Sequence, residues 1–534
     1  MGPPSITVLG GGICGLSTAF HLIRRFPVHS GTRITLVESS ERLGGWMKSE
    51  RVTVKDSVGQ KADVVLESGP RTLRPASKAV LELVRFVLTV TTQVHLLGLK
   101  SLLLTVPRSA PAVRNRFLHL PGRDGLVTIP GSLLPVLCSP LAKILVPAVL
   151  KDARKSTGIV LNKSSPNDES VDAFLTRHFG AEFARTFGSA LVHGIYATDS
   201  RLLSVRSAFP VMCQLEESGK GSLVRGAIME ALSSSREGKS KATEEEPYEL
   251  GDIAELMRDI SVFSFQDGMQ TLSDSMADRL EGLPHVEVVK GDAVVALSKS
   301  DSGDGFETIT ASGKRLPSSH IVSAMPLPHL HRLLSAPSVA HPSNAPLPHL
   351  LANPSSSVTV VNLVFPPTTR PIHPDGFGYL IPRPTTDYPS SSLGMLGTVF
   401  DSCALPIQDR LLSSPSASPP PSRFTKLTVM LGGPYGAPTP SLSSPAFIPT
   451  LLDTLRRHLG RTEPLPEPCL VRVREHRDCI PTPTAGHVGR VAELAAAVRE
   501  RWGANAAVIG AGVGGVSVGD CVESGRRAAY SLGL

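Results

Sequence analysis

Several common signals are missing from this sequence. Cysteine is sparse, with seven residues at 14, 138, 213, 403, 469, 479 and 521. The number is odd and no two form a Cys-x-x-Cys pair, which argues against a disulfide framework or a zinc site and for reduced thiols. Charged residues make up only 19% of the chain, and the formal net charge of +7 is spread along it. There is no concentrated basic stripe, so nucleic acid is not an expected partner. The charge suits an anionic lipid or an anionic substrate and proves neither. No fixed-period repeat is present. The β-like run Ile6-Thr7-Val8-Leu9 begins almost at once, so no presequence is expected, and import into an organelle would need an internal signal. With 41% hydrophobic residues, global disorder is excluded.

What is abundant is length and proline. The 534 residues are enough for roughly three to four modules. Proline numbers 46, against roughly 27 at ordinary usage. Most of the excess follows residue 325. There, Pro-Ser loops at 335–356 and 411–423 separate strand-like runs at Val358 to Val364, Leu393 to Phe400 and Lys426 to Leu431. Residues 261–330 read as α/β, with strands at Val286–Val289 and at His320 onward.

The strongest chemical signal is at the start. Thr7-Val8-Leu9 predicts a strand, Gly10-Gly11-Gly12-Ile13-Cys14-Gly15 a turn, Leu16 to Ile23 a helix, and Arg33 to Glu38 a second strand. Gly10, Gly12 and Gly15 form GxGxxG between strand and helix. There they would permit a tight turn, close approach of a pyrophosphate and close helix–strand packing. The helix N-terminus would face the phosphates with free N–H groups. Glu38, at the end of the second strand, would accept from a ribose hydroxyl, which favours FAD or NAD over NADP. Arg42 and the pair Gly44-Gly45 would let a loop close over a larger cofactor.

Gly510, Gly512 and Gly515 spell the same pattern near the end. Too few residues follow for a helix and a second strand. The reading is that strand Ala506 to Ile509 returns to the first domain, and that its turn and the Asp520 helix close over the cofactor.

Residues 131–150 carry one charge, Lys143, but three prolines at 135, 140 and 147. They oppose a regular membrane-spanning helix. An apolar segment on the membrane surface is expected, with a buried hairpin or pocket lid as the alternative. Val171, Phe174, Leu175 and Phe179 share a helical face, with Asp168 or Ser170 as the cap. Phe183, Phe187 and Leu191 repeat that spacing. Residues 236–250 read as a solvated charged loop.

The run Val8 to Leu16, then Glu38 to Trp46, closely resembles the protoporphyrinogen oxidase family. So do Gly69-Pro70-Arg71, Asn115-Arg116-Phe117, Ser204-Val205-Arg206-Ser207, Val429-Met430-Leu431-Gly432-Gly433 and Asp520 to Arg526. These motifs run in order along the whole chain, and they resemble the fungal, eukaryotic type. The resemblance implies an oxygen-dependent FAD enzyme that takes protoporphyrinogen IX to protoporphyrin IX in haem synthesis. Six electrons would leave by repeated hydride transfer, with release of hydrogen peroxide. The flavin does the redox chemistry, so no catalytic side chain and no metal are implied.

It also implies an α/β fold: a discontinuous Rossmann-type, amine oxidase-like FAD-binding domain, a mixed α+β substrate domain and an α-helical membrane-binding domain. The expected divisions are FAD-binding 1–90, 261–330 and 476–534, helical 91–206, and substrate 207–260 and 331–475. FAD contacts carry over to Gly10, Gly11, Gly12, Ile13, Cys14, Gly15, Glu38, Arg42, Trp46, Gly69, Pro70, Arg71 and Thr72. Val294 would meet the adenine side, and Ala511, Val516, Ser517 and Val518 the flavin end.

For the substrate, Arg116 would pair with a propionate. Gly194 would let the macrocycle approach backbone, and Leu363 and Met430 would wall the ring. His193 stands where some relatives have arginine, so charge pairing there would depend on its protonation. The terminal turn is richer in glycine than in relatives, and the Pro-Ser loops read as insertions. The implied partners are oxygen, a membrane surface (the mitochondrial inner membrane), a second copy of the chain and a ferrochelatase receiving the product. Two other readings of the scaffold stay open. One is a flavin amine oxidase, against which the 5% aromatic content counts, because such enzymes favour an aromatic cage. The other is a flavin-free lipid escort of the dissociation-inhibitor type.

Overall fold

A computed structural model of the chain describes residues 3–92, 102–131, 139–155, 168–234, 247–300, 305–335, 347–412 and 423–533. Half of the Pro-Ser loop at 335–356, most of that at 411–423, most of the charged loop 236–250 and part of the apolar segment 131–150 lie outside these residues.

The β-branched run at the start forms strand Ser5–Leu9, and its residues from Ile6 onward are buried on both faces. Such double burial belongs to a central strand of a parallel sheet. Its neighbours are Arg33–Val37 on one side and His320–Ser323 on the other, and Val286–Val289 and Ala506–Val508 complete five parallel strands. Numbered along the chain, the order is 3-2-1-4-5. Connections reverse direction between Ser5–Leu9 and His320–Ser323, and the crevice beyond the carboxyl ends of those strands is where this topology binds ligands. An antiparallel meander, Val294–Lys299, Phe306–Thr310 and Arg315–Ser318, links the third strand to the fourth.

The nucleotide helix Ile13–Arg25 lies between this sheet and the last helix, Val518–Ser531. Ser17 Oγ donates to the Val522 carbonyl at 2.8 Å. A Cβ on Gly525 would stand 2.5 Å from the Cys14 carbonyl oxygen, so glycine sets the closeness of the two helices. The two ends of the chain therefore build one core.

The second sheet has seven strands, in the order Leu470–Pro481, Ser355–Phe365, Thr425–Gly432, Met395–Val399, Gly378–Leu380, Phe117–Leu118 and Val127–Thr128. One face packs on helix Phe447–His458, whose Phe447, Leu451 and Leu455 recur at four-residue spacing and are buried. The other faces the nucleotide unit and helix Ser189–Tyr196. A hairpin, Ser49–Lys55 and Lys61–Glu67, joins the two units. Lys426, on the second sheet, donates from Nζ to the Val65 carbonyl at 2.6 Å and to Asp409 at 2.8 Å, with both side chains almost fully buried.

These pairings correct the expected divisions. Residues 103–128 are largely strand and loop, with only the one-turn helix Pro111–Arg114: Leu103–Pro107 pairs with Ile260–Phe265, and two further strands extend the second sheet. Helices Val205–Ala208, Pro210–Ser218 and Leu223–Ser234 pack with the helical segments before them rather than with the sheet. The buried Asp152 carboxylate ties helix Leu223–Ser234 to the helical segments before it, accepting from Ser222 Oγ at 2.8 Å and Val224 N at 2.9 Å and meeting His178 Nδ1 at 2.5 Å. Strand Leu470–Pro481 runs straight through the boundary expected at 476.

Within the apolar segment, helix Ala142–Ala153 contains Pro147. Ser170, not Asp168, caps helix Val171–Phe179, accepting from Ala173 N at 3.1 Å. The Phe183–Phe187 repeat sits partly in a π-helical turn, Ala184–Gly188. Among the described residues no helix is long and apolar enough to cross a membrane.

Candidate functional site

At the carboxyl end of the central strand each glycine has its own reason. Gly10 takes φ +99°, and its N–H bonds the Val37 carbonyl at 2.8 Å. A Cβ on Gly15 would lie 1.9 Å from the Gly10 carbonyl oxygen, whereas one on Gly12 would meet nothing within 4 Å. Gly12 therefore borders open space directly before the helix. That helix has no capping side chain and no acid in its first turn. Its N–H groups and dipole face the opening, as an anion requires.

Glu38 sits at the rim. Its Oε2 accepts from Gly11 N at 2.7 Å, and its Oε1 from Ser40 N at 2.9 Å and Ser40 Oγ at 2.8 Å. The loop beyond it folds back on the turn, with Gly44 N bonding the Gly11 carbonyl at 2.8 Å. Arg42 is close by, but its guanidinium donates to the carbonyls of Leu43 and Met47 at 2.6 and 2.8 Å and to that of Gly45. Arg42 thus knots its own loop rather than projecting at phosphates. Val294, half-buried, packs beside Leu9 and Val37 at the same strand ends.

A second loop approaches from the hairpin. A Cβ on Gly69 would lie 2.7 Å from the Trp46 carbonyl. Pro70 and Thr72 are half-buried, and Arg71 is buried against Asp401 at 3.4 Å. Just before this loop, burial pushes the Glu67 carboxyl up to about 7, against hydrogen bonds from Met269 N and Ser49 Oγ and the charges of Arg71 and Lys426. Among the described residues, the buried hydroxyls of Ser68 and Ser323 have no hydrogen-bond partner. Both stand where the crevice opens, one opening the 68–72 loop and one ending the fourth strand.

The third loop is the terminal turn. Ala511, Val516 and Val518 are half-buried. Ser517 and Asp520 cap the last helix reciprocally, Ser517 Oγ accepting from Asp520 N at 3.0 Å and Asp520 Oδ2 from Ser517 N at 3.1 Å. This helix closes its own N-terminus, so of the two helix ends only that of Ile13–Arg25 is free for an anion. Burial raises the Cys14 thiol well above its usual range and pushes that of Cys521 up to about 12. Neither is a ready nucleophile.

Across from these loops, register and period-two alternation sort the substrate-side residues. Leu118, Leu380, Gly397, Met430, Val360 and Arg474 are neighbours in one row across the second sheet. Arg116 is two residues before Leu118 and so belongs to the same face. It is exposed and, among the described residues, has no ion-pair partner. Gly194 meets this row: a Cβ there would stand 2.7 Å from Leu380 Cδ2. The glycine thus fits helix Ser189–Tyr196 onto the sheet.

Leu363 does not belong here. Three residues from Val360, it has the opposite parity and is fully buried against helix Phe447–His458. It cannot wall the same ring as Met430. Leu380 stands in the row with Met430 instead, half-exposed beside Gly194, and only the sheet register identifies it.

His193 is also corrected. Its Nδ1 donates to the Ile381 carbonyl at 2.7 Å, its Nε2 faces the Tyr388 hydroxyl at 2.9 Å, and burial holds its pKa down to about 4. It is neutral and turned away from the open face, so it supplies no charge for a propionate.

The flavin-containing amine oxidoreductase family matches residues 13–532. The chain is 30% identical to a protoporphyrinogen oxidase of Schizosaccharomyces pombe, covering 99% of this chain and 98% of that one. It is 34% identical to the Homo sapiens protein of the same name, over the same shares. A crystal structure from Exiguobacterium sp. 255-15, provisionally named protoporphyrinogen oxidase, superposes with a TM-score of 0.67 at 20% identity and covers 99% of both chains.

Proposed function

The chain belongs to the flavin-containing amine oxidoreductases and, within them, to the protoporphyrinogen oxidases, and on that premise we propose that it converts protoporphyrinogen IX to protoporphyrin IX with oxygen as acceptor. It is an FAD-dependent oxidoreductase. The observation that carries the reading is the pairing of a nucleotide cradle at the switch point with a facing sheet that presents Arg116, which has no ion-pair partner among the described residues, beside a largely apolar row. Bound FAD would take hydride from the macrocycle and pass electrons to oxygen.

The protein's share is binding and exclusion. Gly10 to Gly15 and the open helix end would hold the pyrophosphate, and Glu38 the ribose. Loops 68–72 and 510–518 would enclose the isoalloxazine, with Trp46 at their margin. Arg116 would take a propionate bidentately, and Leu380, Met430 and Gly194 would hold the ring plane against the flavin.

The same reading places the enzyme on the mitochondrial inner membrane, where it would act as a homodimer and hand its product to a ferrochelatase. Its contact with lipid would be apolar. Val146, Val149 and Leu150 on helix Ala142–Ala153, and Ile228, Met229 and Leu232 on helix Leu223–Ser234, are all exposed, and Lys143 and Lys151 flank them as anchors for anionic headgroups. Flotation with anionic vesicles tests this: glutamate at Ile228 and Leu232 should abolish co-migration without changing bound FAD.

Turnover itself is tested by stoichiometry. Each protoporphyrin formed should consume three oxygen molecules and yield three of hydrogen peroxide. A protein that oxidises polyamines but not the porphyrinogen, or one that purifies without flavin absorbance, would overturn the assignment in favour of an amine oxidase or an escort protein, respectively.

A further inference from the structure

Strand Leu470–Pro481 and helix His487–Trp502 carry two histidines, each turned to the backbone of a different loop around the cradle. His476 Nε2 donates to the Ser68 carbonyl at 2.8 Å, and its ring meets the edge of Trp46 with centroids 5.2 Å apart. Ten residues on, Gly486 at φ +83° turns the chain, and His487 begins the helix with only 7% of its surface exposed.

His487 Nδ1 accepts from the Asn353 side-chain amide at 2.8 Å. That amide has one orientation, because its oxygen already accepts from Thr484 N at 3.1 Å, Thr484 Oγ1 at 3.2 Å and Arg490 at 3.1 Å. Nδ1 is therefore unprotonated and the ring's proton resides on Nε2, which leaves that N–H as the group able to bond the neighbouring Val513 backbone carbonyl. Both imidazoles are neutral. Burial lowers their pKa, and Arg474 and Lys48 beside one and Arg490 beside the other act in the same direction.

Ser68 opens loop 68–72, and Val513 lies in the terminal turn. The two histidines thus come from one continuous segment and reach two loops far apart in sequence. That segment also belongs to the substrate wall: Arg474, on the same face as His476, is in register with Val360 and Met430. It is fixed by Asn362 Oδ1 at 2.7 Å and by Glu50. The corner before His487 is held in turn by the helical unit, since Gly486 N donates to Asp168 Oδ2 at 3.0 Å and Ser204 N to the Pro483 carbonyl at 2.8 Å.

We propose that His476 and His487 are positioning residues that clamp loops 68–72 and 510–518 to the substrate sheet, so that the cofactor ring and the macrocycle wall keep one spacing. The proposal rests on the reading that these loops enclose the flavin. A single neutral donor aimed at a carbonyl costs little to keep and adds no charge near the ring. It also gives the glycine-rich terminal turn, which lacks bulky side chains of its own, an external support.

The test uses full-length protein stripped of FAD and titrated with it, following flavin fluorescence and the visible spectrum of the bound form. Thermal unfolding of the apoprotein is measured alongside. His476→Ala and His487→Ala should each weaken FAD binding about tenfold, the scale of one lost hydrogen bond, and should shift the flavin bands. His476→Gln and His487→Gln keep an N–H donor and should bind and absorb nearly as the parent does. Ala511→Trp should abolish binding.

If Ala511→Trp loses FAD while both alanine variants keep parental affinity and spectrum, the clamp is refuted and the site reading stands. If Ala511→Trp also keeps FAD, the site reading fails and takes the clamp with it. Lowered apoprotein stability with unchanged affinity would show a structural role only and would refute the clamp. Should the alanine variants not fold, the glutamine variants decide, and a glutamine variant that folds but has lost FAD refutes it.

Discussion

Replacing Arg116 with alanine should raise the half-saturating protoporphyrinogen concentration about tenfold and leave the folded protein as it was. The second half of that expectation follows from geometry. The side chain is exposed and, among the described residues, pairs with no carboxylate, while its carbonyl still accepts from Ile129 N at 2.8 Å whatever the side chain. A surface change of this kind moves stability by no more than about 0.5 kcal/mol. The first half rests on the proposed propionate contact. A charge-assisted guanidinium–carboxylate bond contributes about 1.5–3 kcal/mol, which is roughly 10- to 150-fold in affinity. Water reaches this position, so the lower end applies.

The assay is anaerobic flavin reduction against porphyrinogen concentration, run with the free acid and with its dimethyl ester. The parent enzyme should discriminate between them by about tenfold, Arg116→Lys by less, and Arg116→Ala not at all. An alanine variant that still prefers the free acid would refute the contact, because esterification removes the charge that Arg116 is said to read.

Three other outcomes follow. Gly15→Ala should purify without FAD, because its Cβ would fall 1.9 Å from the Gly10 carbonyl oxygen and that backbone cannot yield; flavin absorbance after gel filtration reads this directly. Lys426→Met should cost about 3–5 kcal/mol in urea unfolding, because it strands the buried Asp409 carboxylate, and adding Asp409→Leu should recover a good part of the loss. His193, held at about 4 by burial, is protonated first in the unfolded chain. Its contribution to stability is whole above about pH 6.5 and declines as the pH falls toward 4. Comparing His193→Gln with the parent over that range should show a flatter stability profile, and substrate affinity between pH 6 and 8 should not depend on this ring.

The legibility of the chain followed the range of the interactions. The opening βαβ unit was visible because its determinants are local: an apolar run, three glycines at fixed spacing and an acid at a strand end. The return of Ala506–Val508 to that sheet was also foreseeable, since its apolar run and the Gly510-x-Gly512 turn after it repeat the opening pattern. The hairpin Ser49–Lys55 and Lys61–Glu67 was overlooked, although Val52, Val54, Ala62 and Val64 alternate with polar residues around Gly59.

What local pattern could not supply was register. Leu363 and Met430 both read as apolar residues on strands. Only the pairing of Val360 with Met430 reveals that Leu363 faces the other way and that Leu380 stands beside Gly194. The short strands at 117–118 and 127–128 were hidden for a similar reason, since two-residue strands take their identity from the partner. The neutrality of His193 and the donors Arg42 gives to its own loop are tertiary facts with no signature in composition or spacing.

The central claim is that a flavin held at the switch point oxidises a porphyrinogen held on the facing sheet. Anaerobic mixing of the purified holoenzyme with protoporphyrinogen IX tests it most directly. The account predicts bleaching of the oxidised flavin bands, their return on admission of air, and the appearance of protoporphyrin fluorescence. Flavin bands that persist unchanged under excess porphyrinogen would contradict it.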